Sequence, residues 1–124
     1  MSASVRYIVG DLDAAMAFYT SALGFDVVMH PAPTFAMLSR ADLCLLLSVP
    51  SGAGGGGQIT SAGSPEPGGW NRFSLEVSDL AAEVQRLEAA GTPFRNQIVH
   101  GVGGDQILLE DPSGNPVELF QPHT

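Results

Sequence analysis

The chain has 124 residues, 44% hydrophobic and only 15% charged, which fits one small globular domain with a real core and excludes a disordered chain. Thirteen acidic residues against five basic ones give a formal net charge of −8, and all five cations are arginines (6, 40, 72, 86 and 95). That balance repels phosphate backbones and anionic lipid, so neither nucleic acid nor a membrane is an expected partner, and a neutral or cationic small molecule is the easier ligand.

Residues 1–6 lack the basic start and apolar middle of a signal peptide. No apolar run nears the roughly 20 residues of a membrane span, so the expectation is a cytoplasmic protein. A strand is predicted over Val5–Val9. Leu12, Ala15, Met16, Tyr19 and Leu23 then fall on one helical face, and Gly24 is placed to end the helix. Asp11 is a good N-cap, offering its carboxylate to the free amides of the first turn. Strands follow over Phe25–His30, Phe35–Leu38 and Leu43–Val49. Cys44, the only cysteine, sits in the last of these and is expected to be a buried, inert thiol. A lone cysteine makes neither an internal disulfide nor a cysteine-rich zinc site.

Ser51–Gly69 holds eight of the 15 glycines and reads as a flexible linker, with Gln58 able to fold over as part of a lid. Gly54–Gly57 lacks the Lys-Ser/Thr ending of a phosphate-binding loop and opens no helix. Beyond it, a strand is predicted over Asn71–Val77. A helix follows, carrying Leu80, Val84 and Leu87, capped by Asp79 and ended by Gly91. Three more strands are expected over Pro93–Val99, Gln106–Glu110 and Val117–Gln121. Asp111-Pro112-Ser113-Gly114-Asn115 makes a tight turn between the last two.

The chain repeats itself. Val9-Gly10-Asp11-Leu12 recurs 68 residues later as Val77-Ser78-Asp79-Leu80, each copy opening a helix. Each half reads β-α-β-β-β, so the predicted fold class is α+β, with a first module over 1–50, a linker or lid over 51–69 and a second module over 70–124. Side by side, two such modules enclose one cup, an incomplete barrel with a pseudo-twofold repeat.

The repeated Val-x-Asp-Leu before a helix carrying Phe18-Tyr19, together with the run from Asp111 to Leu119 (Asp-Pro-Ser-Gly-Asn-Pro-Val-Glu-Leu), resembles the vicinal oxygen chelate superfamily. That group includes glyoxalase I, extradiol dioxygenases, and bleomycin- and fosfomycin-resistance proteins. The resemblance covers essentially the whole chain and speaks for fold rather than activity. In metal-using members it implies ligands on the first and last strand of each half, the former seven residues before the capping aspartate. Those positions here are Ser4 and Leu46 in the first half, Arg72 and Glu118 in the second. Only Glu118 is a metal ligand by chemistry, and an arginine is a fixed cation that repels one.

Strand alternation places Ser4, Arg6 and Ile8, with Arg72, Ser74 and Glu76, on the cup side, and Val5, Tyr7, Val9, Phe73, Leu75 and Val77 toward the helices. Arg72 is expected to pair with Glu118 where an ion would sit, with Arg6 and Glu76 extending the network. Equally, such pairs simply neutralise one another and hold the halves together. His30 and His100 hold similar places in the two halves and can reach the rim; either can act as a general base. His123 falls in a tail expected to fray. Trp70 stacks on a planar ligand or caps the core, Phe35 forms a wall or packs in the core, and Phe94-Arg95-Asn96 with Gly103–Gln106 supplies a polar rim.

Two readings of function follow. The first is a metal-free protein binding a small hydrophobic or cationic molecule and forming a homodimer, with Arg6, His30, Phe35, Trp70, Arg72, Glu76, His100, Gln106 and Glu118 as candidate contacts. The second is a divalent-metal enzyme of the glyoxalase or dioxygenase type. A weaker third is a metal-independent enzyme, with Glu118 or a histidine as base and Arg72 stabilising an oxyanion.

Overall fold

Alternation decides the first strand, β1 (Ser4–Ile8), whose Tyr7 is buried while Ser4 and Arg6 are exposed. This computed structural model describes residues 3–51 and 55–123. They fall into two compact units, divided between Gly68 and Gly69.

In the first unit β1 leads into α1 (Leu12–Leu23). Asp11 caps it as the sequence predicts: its Oδ1 accepts the Ala14 N–H at 3.0 Å. Gly24 ends it in the left-handed region at φ 72°, where the Phe25 N–H closes back on the Tyr19 carbonyl at 3.0 Å. Strands β2 (Asp26–Ala32), β3 (Phe35–Arg40) and β4 (Leu43–Ser48) complete a sheet of order β1-β4-β3-β2. β1 runs parallel to β4 and the other pairs are antiparallel. The core lies between α1 and the sheet, built by Tyr7, Val9, Leu12, Ala15, Tyr19, Phe25, Leu38, Leu45 and Leu47. Each fully buried leucine contributes roughly 1.5–3 kcal/mol. β2 is the sheet's edge, and its Val27, Val28 and Met29 remain exposed.

The second unit repeats the plan with β5 (Ser74–Glu76), α2 (Leu80–Ala89), β6 (Val99–His100), β7 (Gly104–Glu110) and β8 (Pro116–Pro122), in sheet order β5-β8-β7-β6. Asp79 caps α2 through the Ala82 N–H at 3.1 Å, and the Gln121 side chain adds a second cap, accepting the Leu80 N–H at 2.7 Å. Gly91, at φ 83°, follows its end. Leu75, Leu80, Leu87, Ile107, Leu109, Val117 and Leu119 form the core. The turn at Asp111 is built around its buried carboxylate, whose Oδ1 accepts the Ser113 and Asn115 N–H groups at 2.8 and 2.9 Å.

The fold is therefore α+β, two similar helix-backed four-stranded sheets without a closed barrel. No helix among the described residues is long and apolar enough to cross a membrane.

Three expectations change. The strand over Pro93–Val99 shrinks to a bridge from Phe94 to Leu109 and the two residues of β6. The chain bends at Arg95 and Asn96, and the Asn96 Oδ1 takes the Leu108 N–H that a strand backbone would have taken. Cys44 is half-buried rather than buried, because alternation turns Leu45 and Leu47 toward the helix and leaves Cys44 and Leu46 on the other face. The described part of the Gly-rich segment folds onto the first unit. Ser48 Oγ donates to the Gly55 carbonyl at 2.6 Å, and Ser51 N–H to the Gly57 carbonyl at 3.0 Å. Gly52, Ala53 and Gly54 lie outside the described residues.

Candidate functional site

Each sheet has a face turned away from its helix, which carries Arg6 and Phe35 in the first unit and Glu76, Gln106 and Glu118 in the second. In the second unit Arg72, Ser74 and Glu76 are exposed while Phe73 and Leu75 are buried, the alternation the sequence predicts. Ser74 pairs with Glu118 and Glu76 with Phe120 across β5 and β8. Leu108 and Gln106 continue those two rows on β7. Glu118, Phe120, Leu108 and Gln106 are half-buried.

Arg72 reaches along this face to Glu118. Its Nε and Nη2 both lie 3.1 Å from Glu118 Oε1, and its Nη1 donates to the Trp70 carbonyl at 3.3 Å. The guanidinium side chain is 32% exposed and the carboxylate 14%. A charge-assisted pair this sheltered fixes both side chains.

In the first unit the same face carries Ser4, Arg6 and Ile8, in register with Cys44, Leu46 and Ser48, and then Met37 and Phe35 on β3. It is largely apolar, with one cation. The backbone of Gly56 lies against the Arg6 guanidinium, so close that a Cβ there would stand 2.3 Å from Arg6 Cζ. Gly55 similarly lies against Thr34 and Phe35. Gln58 bridges to Ser51 at the end of this loop. Arg6 and Glu76, expected in one network, belong to different units.

The histidines are dispersed. His30, on the exposed edge strand β2, lines a concavity of about 560 Å³ with Asp11 and Asp13 beside the start of α1. A second concavity, of about 470 Å³, lies at the matching place in the second unit, lined by Glu76, Ser78 and Gln121 among others. His100 Nδ1 stands 2.9 Å from Asp105 Oδ1 without the alignment of a hydrogen bond, an ion pair when the imidazole is protonated. His123 is not frayed: its Nε2 lies 2.9 Å from the Gly101 carbonyl, and its N–H donates to Gly103.

Trp70 does not cap the core; it is 67% exposed. Arg95 holds it, with Cζ 4.6 Å from the ring centroid. That guanidinium also donates to Glu110 Oε2 at 2.8 Å, the Gly69 carbonyl at 2.6 Å and the Gly114 carbonyl at 2.9 Å. Sequence reasoning put Arg95 on a polar rim and missed this anchoring. Its partners lie 15 to 26 residues away, beyond any local pattern.

A divalent ion needs converging oxygen, nitrogen or thiolate donors. Among the described residues no three His, Cys, Asp or Glu side chains converge in a way that could hold one. The one carboxylate at the four ligand positions is engaged by a guanidinium. These residues do not fit a divalent metal.

The family model for the Glyoxalase/Bleomycin resistance protein/Dioxygenase superfamily matches residues 2–119. A lactoylglutathione lyase of Pseudomonas putida is 32% identical over 60 residues, which is 48% of this chain and 35% of that protein. The aligned stretch thus spans about a third of that curated relative. Among solved structures, a lactoylglutathione lyase from Agrobacterium tumefaciens superposes with a TM-score of 0.74 at 26% identity, covering 98% of this chain and 92% of that one. TnmS3, an antibiotic binding protein from Streptomyces sp. CB03234, shares the fold with a TM-score of 0.72 at 23% identity, covering 99% and 98%.

Proposed function

The chain belongs to the Glyoxalase/Bleomycin resistance protein/Dioxygenase superfamily, and from that membership we propose that it is a metal-independent binding protein for a small, largely apolar molecule. The fold serves both a lyase and an antibiotic binding protein, so the decision falls to the residues. The observation that carries the reading is the contact of Arg72 Nε and Nη2 with Glu118 Oε1, both at 3.1 Å. A guanidinium neutralises the carboxylate that a metal would need, and its fixed charge opposes a cation beside it. The half-buried Phe35, Met37, Leu46, Leu108 and Phe120 give the two open sheet faces an apolar character suited to a hydrophobic ligand. The protein is expected to work as a homodimer without a cofactor.

The test is metal analysis of purified protein, followed by thermal melts with zinc, nickel, manganese and iron salts and with a panel of apolar drug-like compounds. Stabilisation by an apolar compound and by none of the metals is the expected result. Stoichiometric metal that is lost in Glu118→Gln would overturn it. That outcome favours the second reading, a metal-dependent lyase, which the two lactoylglutathione lyase relatives support.

A further inference from the structure

Three of the protein's arginines have carboxylate partners: Arg72 with Glu118, Arg86 with Glu83 and Arg95 with Glu110. Arg40 and Arg6 have none among the described residues, although the chain carries 13 acidic side chains, and of the two only Arg6 lies on the sheet face turned away from the helix. It stands exposed on the face of the first sheet that also presents Leu46, Met37 and Phe35. No Asp or Glu belongs to β1, β3 or β4. The Gly56 backbone lies against one side of the guanidinium, where a Cβ would stand 2.3 Å from Cζ.

From this juxtaposition we infer that Arg6 is an anion subsite, and that the ligand of this face is an amphipathic carboxylate: an apolar body lying across Leu46, Met37 and Phe35, with its acid group on Arg6. The inference rests on the proposed small-molecule binding and narrows its ligand class, against the preference for cations that net charge alone suggests. A guanidinium presents a planar fork that receives a carboxylate through two parallel hydrogen bonds. In a molecule of net charge −8 most of the surface repels an acid, so a local cation beside an apolar floor decides where one binds. The apolar floor supplies affinity without charge, and Arg6 supplies the choice among ligands of equal hydrophobicity.

The experiment is calorimetric titration of the full chain with phenylbutyrate, phenylbutanol and phenylbutylamine, which share one apolar body. The acid is expected to bind about tenfold more tightly than the alcohol, and the amine more weakly than either. Arg6→Gln should remove the acid's advantage over the alcohol; Arg6→Lys, which keeps the charge but not the fork, should restore part of it. Circular dichroism melts establish that both variants fold. Equal affinity for acid and alcohol, or acid binding unchanged in Arg6→Gln, overturns the assignment while small-molecule binding stands. Silent titrations with all three compounds overturn it as well, and the wider reading is then decided by the metal and melting experiment, which does not involve Arg6.

Discussion

Leu46 and Glu118 hold the same place in the two repeats. Leu46 stands opposite Arg6 in the ladder of β1 and β4, and Glu118 opposite Ser74 in that of β5 and β8. Arg6 and Ser74 are themselves 68 residues apart, the spacing of the two capping aspartates. One frame thus carries an aliphatic side chain in one half and a carboxylate in the other.

The carboxylate's partner is the lever for the first prediction. Arg72→His removes the fixed cation and puts an imidazole beside Glu118. The variant is expected to gain thermal stability with nickel or zinc, reversibly with a chelator, while the parent protein does not respond. Scanning fluorimetry reads the difference. A variant as indifferent as the parent would mean that something besides the guanidinium keeps ions out.

The start of α2 holds two caps where one is usual. Asp79→Ala alone should cost about 1 kcal/mol in urea unfolding. Gln121→Ala should cost a similar amount, since it strips the Leu80 N–H of its acceptor. Both caps serve the same first turn, so the double variant is expected to depart from the sum of the singles. Strict additivity would mean that the two acceptors act independently.

Gly56 combines a φ of 90° with direct approach to Arg6. Gly56→Ala should destabilise by about 1–3 kcal/mol. Adding Arg6→Ala relieves the collision but not the backbone strain, so the second change should recover only part of the loss. A double-mutant cycle in equilibrium unfolding separates the two causes.

Trp70 is the protein's only tryptophan, so its fluorescence reports the surroundings of the ring on which Arg95 packs. Arg95→Ala should change the emission intensity in the native state and lower stability by about 2–3 kcal/mol, since the Glu110 carboxylate and two carbonyls lose a donor together. Unaltered native emission would mean that the guanidinium does not govern the indole's surroundings.

Much of this was readable from the chain. Asp11 and Asp79 cap where the sequence places them because capping is decided within four residues. The Arg72–Glu118 contact followed from the family resemblance, whose ligand positions fall on these two residues, and from strand alternation, which turns Arg72 away from the helix. Cys44 was misplaced because a continuous apolar run does not declare its faces; only the register with Ser4 and Ser39 does. Pro93–Val99 looked like a strand because its residue types suit one. The bend at Arg95 and Asn96 is set by partners on other elements. Trp70 had two readings in the sequence, a ligand platform or a cap on the core; an arginine 25 residues downstream packs on its ring and the indole stays in solvent, which removes the second.

The open edge of β2 has a colloidal consequence. Val27, Val28 and Met29 offer an unpaired ladder with apolar side chains, the kind of rim along which folded molecules add to one another. At neutral pH, mutual repulsion between strongly anionic particles opposes that addition. Near pH 4.5, where the net charge vanishes, the repulsion is gone and the edge is unchanged. Light scattering should rise there while the secondary structure persists, and Val28→Lys, a gatekeeper on the rim, should suppress the turbidity.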